Sequence, residues 1–271
     1  MKLCIGFNDP VFIDVLEAEL AETGFESFDR TSRELIAYIP LESVLEDSIK
    51  QVLDSYANEI TKTERETIVH QNWNATWEAD YQPVFIDHLM IKAPFHEVDP
   101  NIKEVITINP NMSFGTGHHP TTEQVLREMM TLELAEKSFL DFGCGSGILC
   151  IYAAQHGANG IGVEIDPHAA EAARENLGIN NVSTFSIKTG GIEQIENHTF
   201  DLIAANINRN VIEESLPTFY SALNIGGSIL CSGFLEDDII PLISSIERTG
   251  LKVYLSSSKG GWGIICAKRT A

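Results

Sequence analysis

Between residues 139 and 167 the chain reads FLDFGCGSGILCIYAAQHGANGIGVEIDP, and its polar residues are spaced for ligand chemistry. Asp141 stands where a short apolar run gives way to a loop, Gly143, Gly145 and Gly147 follow at alternate positions, and Glu164 ends the next apolar run. Glycines so placed let the backbone turn sharply and admit a ligand with no Cβ in its way. The pattern is strand, glycine turn, helix, strand, the first half of a nucleotide-binding α/β unit. The dinucleotide fingerprint would need its third glycine where Ile148 stands, which weakens a pyrophosphate reading. Asp141 argues the same way, because a carboxylate at the loop repels a pyrophosphate and attracts a ligand carrying an ammonium and a sulfonium. Glu164 is placed to accept hydrogen bonds from both hydroxyls of a ribose.

Two further stretches carry chemistry. Phe114-Gly115-Thr116-Gly117-His118-His119 is a glycine-loosened loop, and Pro120-Thr121-Thr122 opens a helix with Glu123 in its first turn. Adjacent histidines suggest zinc, but neighbouring side chains rarely share a tetrahedral site and no cysteine or carboxylate stands nearby at ligand spacing. No metal is expected, and the loop reads as a polar segment closing over the ligand. Asn206, in AANINRN, ends another apolar run. In an open α/β sheet that edge is where ligands bind.

These residues need a frame. After Asp166-Pro167 caps a helix reaching Leu177, strands are expected at 182–187, 200–205 and 228–232, with helices at 209–223 and 236–249. The last two strands, 251–257 and 262–268, have no helix between them and should form a hairpin. Ahead of this lie a strand at 2–7, a helix from Asp9-Pro10 to Gly24, strands at 25–30 and 35–39, a helix at 41–57 and a strand at 66–69. That βαββαβ order is the ferredoxin-like arrangement. Residues 71–95 read as a linker, with Trp73 and Trp77 on one face of a short helix, where packing is the better reading and lining a substrate entrance the alternative. Short extended stretches follow at 84–86, 89–91 and 105–108.

At 271 residues there is room for one α/β domain and a smaller one. The net charge of −21 opposes nucleic-acid binding, which needs basic surface. Residues 1–60 hold 13 acidic side chains against 4 basic, so an RNA-binding face on the ferredoxin-like domain is not expected either. Docking of a basic protein is the better hypothesis, with a dimerisation or stabilising module as the alternative. The five cysteines are odd in number and sit in apolar runs, as buried thiols in a reducing compartment do. The opening residues do not resemble a signal peptide and no run nears the roughly 20 apolar residues of a membrane span. A cytoplasmic protein is expected.

D-x-G-x-G-x-G with an acidic strand end resembles motif I of class I S-adenosylmethionine-dependent methyltransferases. NPNMSFGTGHHPTT, DFGCGSGILCIYAA, GVEIDPHA, DLIAANI and SGFLEDD, in that order, resemble more selectively the ribosomal protein L-11 methyltransferase family. The resemblance implies an α/β chain: a Rossmann-like seven-stranded domain at 96–271, preceded by an α+β ferredoxin-like substrate-recognition domain at 1–70. It implies S-adenosyl-L-methionine as cofactor, held by Thr122, Gly143, Glu164 and Asn206 together with Asp141, Gly145 and Gly147 of the motif. Glu164 departs from the more usual aspartate by one methylene. The implied reaction methylates lysine side chains or the N-terminal amine of ribosomal protein L-11. Alignment and proximity lower the barrier, so no strong base is needed. Asn206 would orient the nitrogen, with Phe114, Thr116 and His119 closing over the site and His119 a secondary proton acceptor. A different protein or a small-molecule amine is the alternative substrate, and a noncatalytic cofactor-fold protein the more distant reading.

Overall fold

The computed structural model describes residues 1–67, 81–98, 100–110, 115 and 117–270, with the backbone alone at Glu42. Phe114, Thr116, Trp73 and Trp77 lie outside the described residues. The chain divides into two compact units, Met1–Ala79 and Asp80–Ala271.

The first unit runs β1 (Lys2–Phe7), α1 (Ile13–Glu22), β2 (Ser27–Arg30), β3 (Glu34–Tyr38), α2 (Glu46–Ser55) and β4 (Ile60–Glu66). Alternation in KLCIGF turns Leu3, Ile5 and Phe7 to one face, where they pack with Leu16 and Leu20 of α1 and Ile49 of α2. The sheet is antiparallel in the order β2-β3-β1-β4, which is the ferredoxin-like topology. Asp9 caps as expected, accepting from Val11 N, although Pro10–Phe12 is a 3-10 turn before α1 proper. Two expectations are corrected. Residues 68 and 69 of the strand expected at 66–69 lie outside the described residues, and the fourth strand is Ile60–Glu66, an edge strand whose one partner among the described residues is β1; all its residues but Ile60 are exposed, so it has no apolar alternation to read. The helix expected at 41–57 breaks into a 3-10 turn (Leu41–Ser43) and α2, because Val44 is extended (ψ 113°).

The second unit opens with a small sheet of β5 (Val84–Ile86), β6 (Leu89–Lys92) and β7 (Glu104–Thr107). Ile86, Leu89, Ile91, Ile106 and Ile108 join the core beside Val125 and Met129. From Val84 onward, therefore, the stretch expected to be a linker is packed structure. Then come α3 (Pro120–Met129), β8 (Ser138–Phe142), α4 (Ile148–Gln155), β9 (Asn159–Glu164), α5 (Pro167–Ile179) and β10 (Phe185–Thr189). They are followed by β11 (Phe200–Asn206), α6 (Arg209–Ala222), β12 (Leu223–Leu235), α7 (Ile239–Arg248), β13 (Leu251–Lys259) and β14 (Trp262–Arg269).

Seven strands form one sheet in the order β10-β9-β8-β11-β12-β14-β13, with β14 antiparallel to both neighbours. The expected C-terminal hairpin is present. The central strands are buried on both faces: one core holds Ile151 of α4 and Leu177 of α5, the other Leu216 of α6 and Leu242 of α7. This accounts for near-continuous apolar runs such as Leu202–Ala205. Strand order reverses between β8 and β11, so their carboxyl ends flank a crevice. No helix among the described residues is long and apolar enough to cross a membrane.

Candidate functional site

The glycine turn after β8 is built from backbone that side chains would strain. Gly143, Gly145 and Gly147 have φ of 77°, 51° and 78°, all in the left-handed region, and Gly147 N-caps α4. The amides of Gly143 and Cys144 donate to the Val163 carbonyl at 2.8 and 3.0 Å, which folds the turn back onto β9. A Cβ at Gly143 would lie 2.2 Å from Cγ2 of Ile207, so the chain leaving β11 packs directly on the turn. Above it lies a narrow cleft walled by Gly143 and Gly145, by Asp141 and Asn206 at the ends of β8 and β11, and by Thr122 in the first turn of α3.

The cleft is short of hydrogen-bond partners. Asp141 is 1% exposed; its Oδ2 accepts from the Cys150 thiol at 3.5 Å, while its Oδ1 has no partner among the described residues. Burial, with the Glu164 charge adding to it, raises the Asp141 carboxyl from 3.8 to about 7. Thr122 Oγ1 and Asn206 Oδ1 are likewise buried without a partner. Each such group costs about 1–3 kcal/mol unless something supplies the missing bond. Three of them in one cleft, two of them acceptors, fit a ligand that brings N–H donors and positive charge. Glu164 is tied to the glycine turn: its Oε2 accepts from Gly145 N at 2.9 Å and its Oε1 from Asp166 N at 3.1 Å. A carboxylate has about four lone-pair sites, so it retains capacity for a diol.

Of the residues singled out from sequence, the fold gathers Thr122, Asp141, Gly143, Gly145 and Asn206 around this cleft, with Glu164 tied to its loop. Gly147 acts one step away, as the α4 cap. His119 does not line the cleft. It N-caps α3, its Nδ1 accepting from Thr121 N at 3.3 Å and lying 2.7 Å from Thr121 Oγ1, with its ring edge-on to Trp262 at 4.7 Å. That nitrogen's lone pair serves the cap, and burial lowers the imidazole pKa.

Gly115, Cys144, Ile148 and Leu149 also line the cleft and were not identified as site residues. The last three carry no sequence signal, since small and apolar residues look the same in a core. Burial pushes the Cys144 and Cys150 thiols well above their ordinary range, which leaves them inert. Among the described residues no group of three or more His, Cys, Asp or Glu side chains is placed to hold a metal ion.

Comparison with known proteins gives a consistent result. The family model described as ribosomal protein L11 methyltransferase (PrmA) matches residues 10–270. The ribosomal protein L11 methyltransferase of Porphyromonas gingivalis is 35% identical over 258 residues, covering 93% of this chain and 89% of its own length. That of Bacteroides thetaiotaomicron is 36% identical over 259 residues, covering 93% and 92%. The crystal structure of ribosomal protein L11 methylase from Lactobacillus delbrueckii subsp. bulgaricus superposes with a TM-score of 0.66 at 25% identity, over 70% of this chain and 100% of that one.

Proposed function

Since the chain belongs to the ribosomal protein L11 methyltransferase family, we propose that it methylates amino groups of ribosomal protein L11, on lysine side chains or the N-terminal amine, using S-adenosyl-L-methionine. One observation carries the assignment: Thr122 Oγ1, Asp141 Oδ1 and Asn206 Oδ1 lie buried with no partner among the described residues around a single glycine-walled cleft at the reversal of strand order, the first two free for the donor and the third for the amine.

The donor, when bound, supplies a methyl group made electrophilic by its sulfonium. The chain's own residues do the rest. Asp141 offers the acceptor for an ammonium, Glu164 offers remaining lone pairs to ribose hydroxyls, and Gly143 and Gly145 keep side chains out of the ligand's way. Asn206, at the end of β11, accepts a hydrogen from the incoming amine through its carbonyl oxygen and so fixes where the nitrogen lone pair points. The amine must arrive neutral. Proton loss to water, aided by the low polarity of a closed cleft, provides that without a dedicated base. His119 acts on the site through α3, whose start it caps.

The 1–70 segment is the recognition device in this reading, supported by its excess of acidic side chains against a basic substrate. A cytoplasmic location fits newly made ribosomal protein as substrate. The test is transfer of labelled methyl from S-adenosylmethionine to purified L11, by the full-length protein and by a version lacking residues 1–70. Transfer by the full-length protein alone, with equal cofactor binding by both, is the expected result. Cofactor binding without transfer by either would reject L11 and leave the donor site standing.

A further inference from the structure

The cleft wall that Gly115 supplies is held from behind by a chain of buried polar bonds that starts on α5. Asn176, 0% exposed in the middle of that helix, donates from Nδ2 to the carbonyl of Ser146 at 2.9 Å and accepts at Oδ1 from Asn109 N at 2.9 Å. One turn later Asn180 accepts from Thr107 N at 2.9 Å and donates to Thr107 O at 2.7 Å. Helix α5 thus grips the glycine turn and the exit of β7 together. Ser146, also 0% exposed, passes the connection on: its hydroxyl donates to the carbonyl of Gly115 at 2.6 Å.

Gly115 holds a conformation and a spacing that suit glycine. Its φ is +93°, and a Cβ there would stand 3.1 Å from Ser146 Oγ. An asparagine and a serine at fully buried positions are costly unless every polar atom is used, and here they link three separate chain segments. An alanine would fill the Ser146 position with less risk to the fold, so the hydroxyl has work to do at Gly115.

We propose that Ser146, oriented by Asn176, is a positioning residue for donor binding: it sets the Gly115 backbone as part of the wall of the cleft that Asp141 and Asn206 also line. The inference rests on the methyl-donor reading of the cleft. Without the Ser146 hydroxyl the wall loses its register relative to the glycine turn, and the donor must order it on binding. The acceptor protein makes no use of this link, so its recognition stays as it was.

The experiment compares Ser146→Ala with Ser138→Ala in the full-length protein. Ser138 is a control of the same chemistry at the other end of β8, where its hydroxyl donates to Asp201 Oδ2 and accepts from Asp201 N, each at 2.9 Å. Ser146→Ala should raise both the calorimetric Kd and the KM for S-adenosylmethionine roughly five- to tenfold, the range of one hydrogen bond, with the KM for L11 unchanged. Ser138→Ala should lower Tm without moving either KM. An unchanged donor Kd in Ser146→Ala, or equal movement of both KM values, or the same donor effect from Ser138→Ala, overturns the proposal. Should Ser146→Ala not fold, the near-isosteric Ser146→Cys, a weaker donor, is expected to give about a twofold rise, and none overturns the proposal. Failure of the wild type to bind the donor at all would reject the donor site itself, a result the variants do not mimic.

Discussion

The two units solve different problems with the same kinds of side chain. In Met1–Ala79 the charged groups lie on the surface and pair there: Arg30 with Asp14 and Glu17, both at 2.7 Å, and Lys62 with Glu64 at 2.8 Å. In Asp80–Ala271 polar groups are taken inside. Among the described residues, every buried side-chain polar atom without a partner belongs to this second unit. Buried, unsatisfied groups pre-pay the cost of a specific small ligand, while solvated charges steer and select a large one at little cost in stability. The difference supports the proposed division of labour, with donor chemistry in the second unit and substrate recognition in the first.

The largest effect should come from Gly143→Val. The variant forces a β-branched residue to φ 77° and into Ile207, so donor binding should fall more than about 100-fold by calorimetry. Binding of L11 through the first unit should survive, and its loss would blur the division between the units. Next is Asn206→Ala, expected to lower kcat about 100-fold, as misplacement of a reacting group does, with at most a few-fold change in donor Kd. Equal losses would make Asn206 a cofactor ligand and nothing more.

The pH dependence is smaller. Because burial raises the Asp141 carboxyl from 3.8 to about 7, the native protein holds a proton between these values that the unfolded chain has released. Stability of the ligand-free protein therefore declines as pH rises from about 4 to about 7, by on the order of 4 kcal/mol at most, and levels off above. Donor affinity moves the other way, since an ammonium is held by the ionised form, and should be about fivefold weaker at pH 6 than at pH 7. Asp141→Asn should flatten both profiles, and profiles left unchanged would remove Asp141 from the site. The smallest effect is Arg30→Ala, where loss of two exposed ion pairs should shift Tm by less than about 2 °C and leave the donor Kd alone. A large shift would mean that the first unit, too, depends on its polar groups for structure.

How far the sequence could be read follows this division. Asp141, the alternate glycines, Glu164 and Asn206 were legible because their chemistry restricts residue type at each position. The edge strand β4 was not, since ITKTERE is exposed along nearly its whole length and owes its place to hydrogen bonds with β1. His119 was harder to place for a related reason: a helix cap and a proton acceptor present the same lone pair, and only the contact with Thr121 N reveals the cap.

The sequence by itself determined the strand-turn-helix unit, the acidic character of the first sixty residues and the family, because these depend on local spacing and composition. Tertiary structure alone decided that Thr122, Asp141 and Asn206, far apart in the chain, leave their free atoms in one cleft. It also decided that Ser146 and Asn176, unremarked among glycines and alanines, hold that cleft's wall. Hydrogen-bond partners 30 and 67 residues apart have no local signature, and only the closed packing of α5 against the glycine turn and the exit of β7 brings them together.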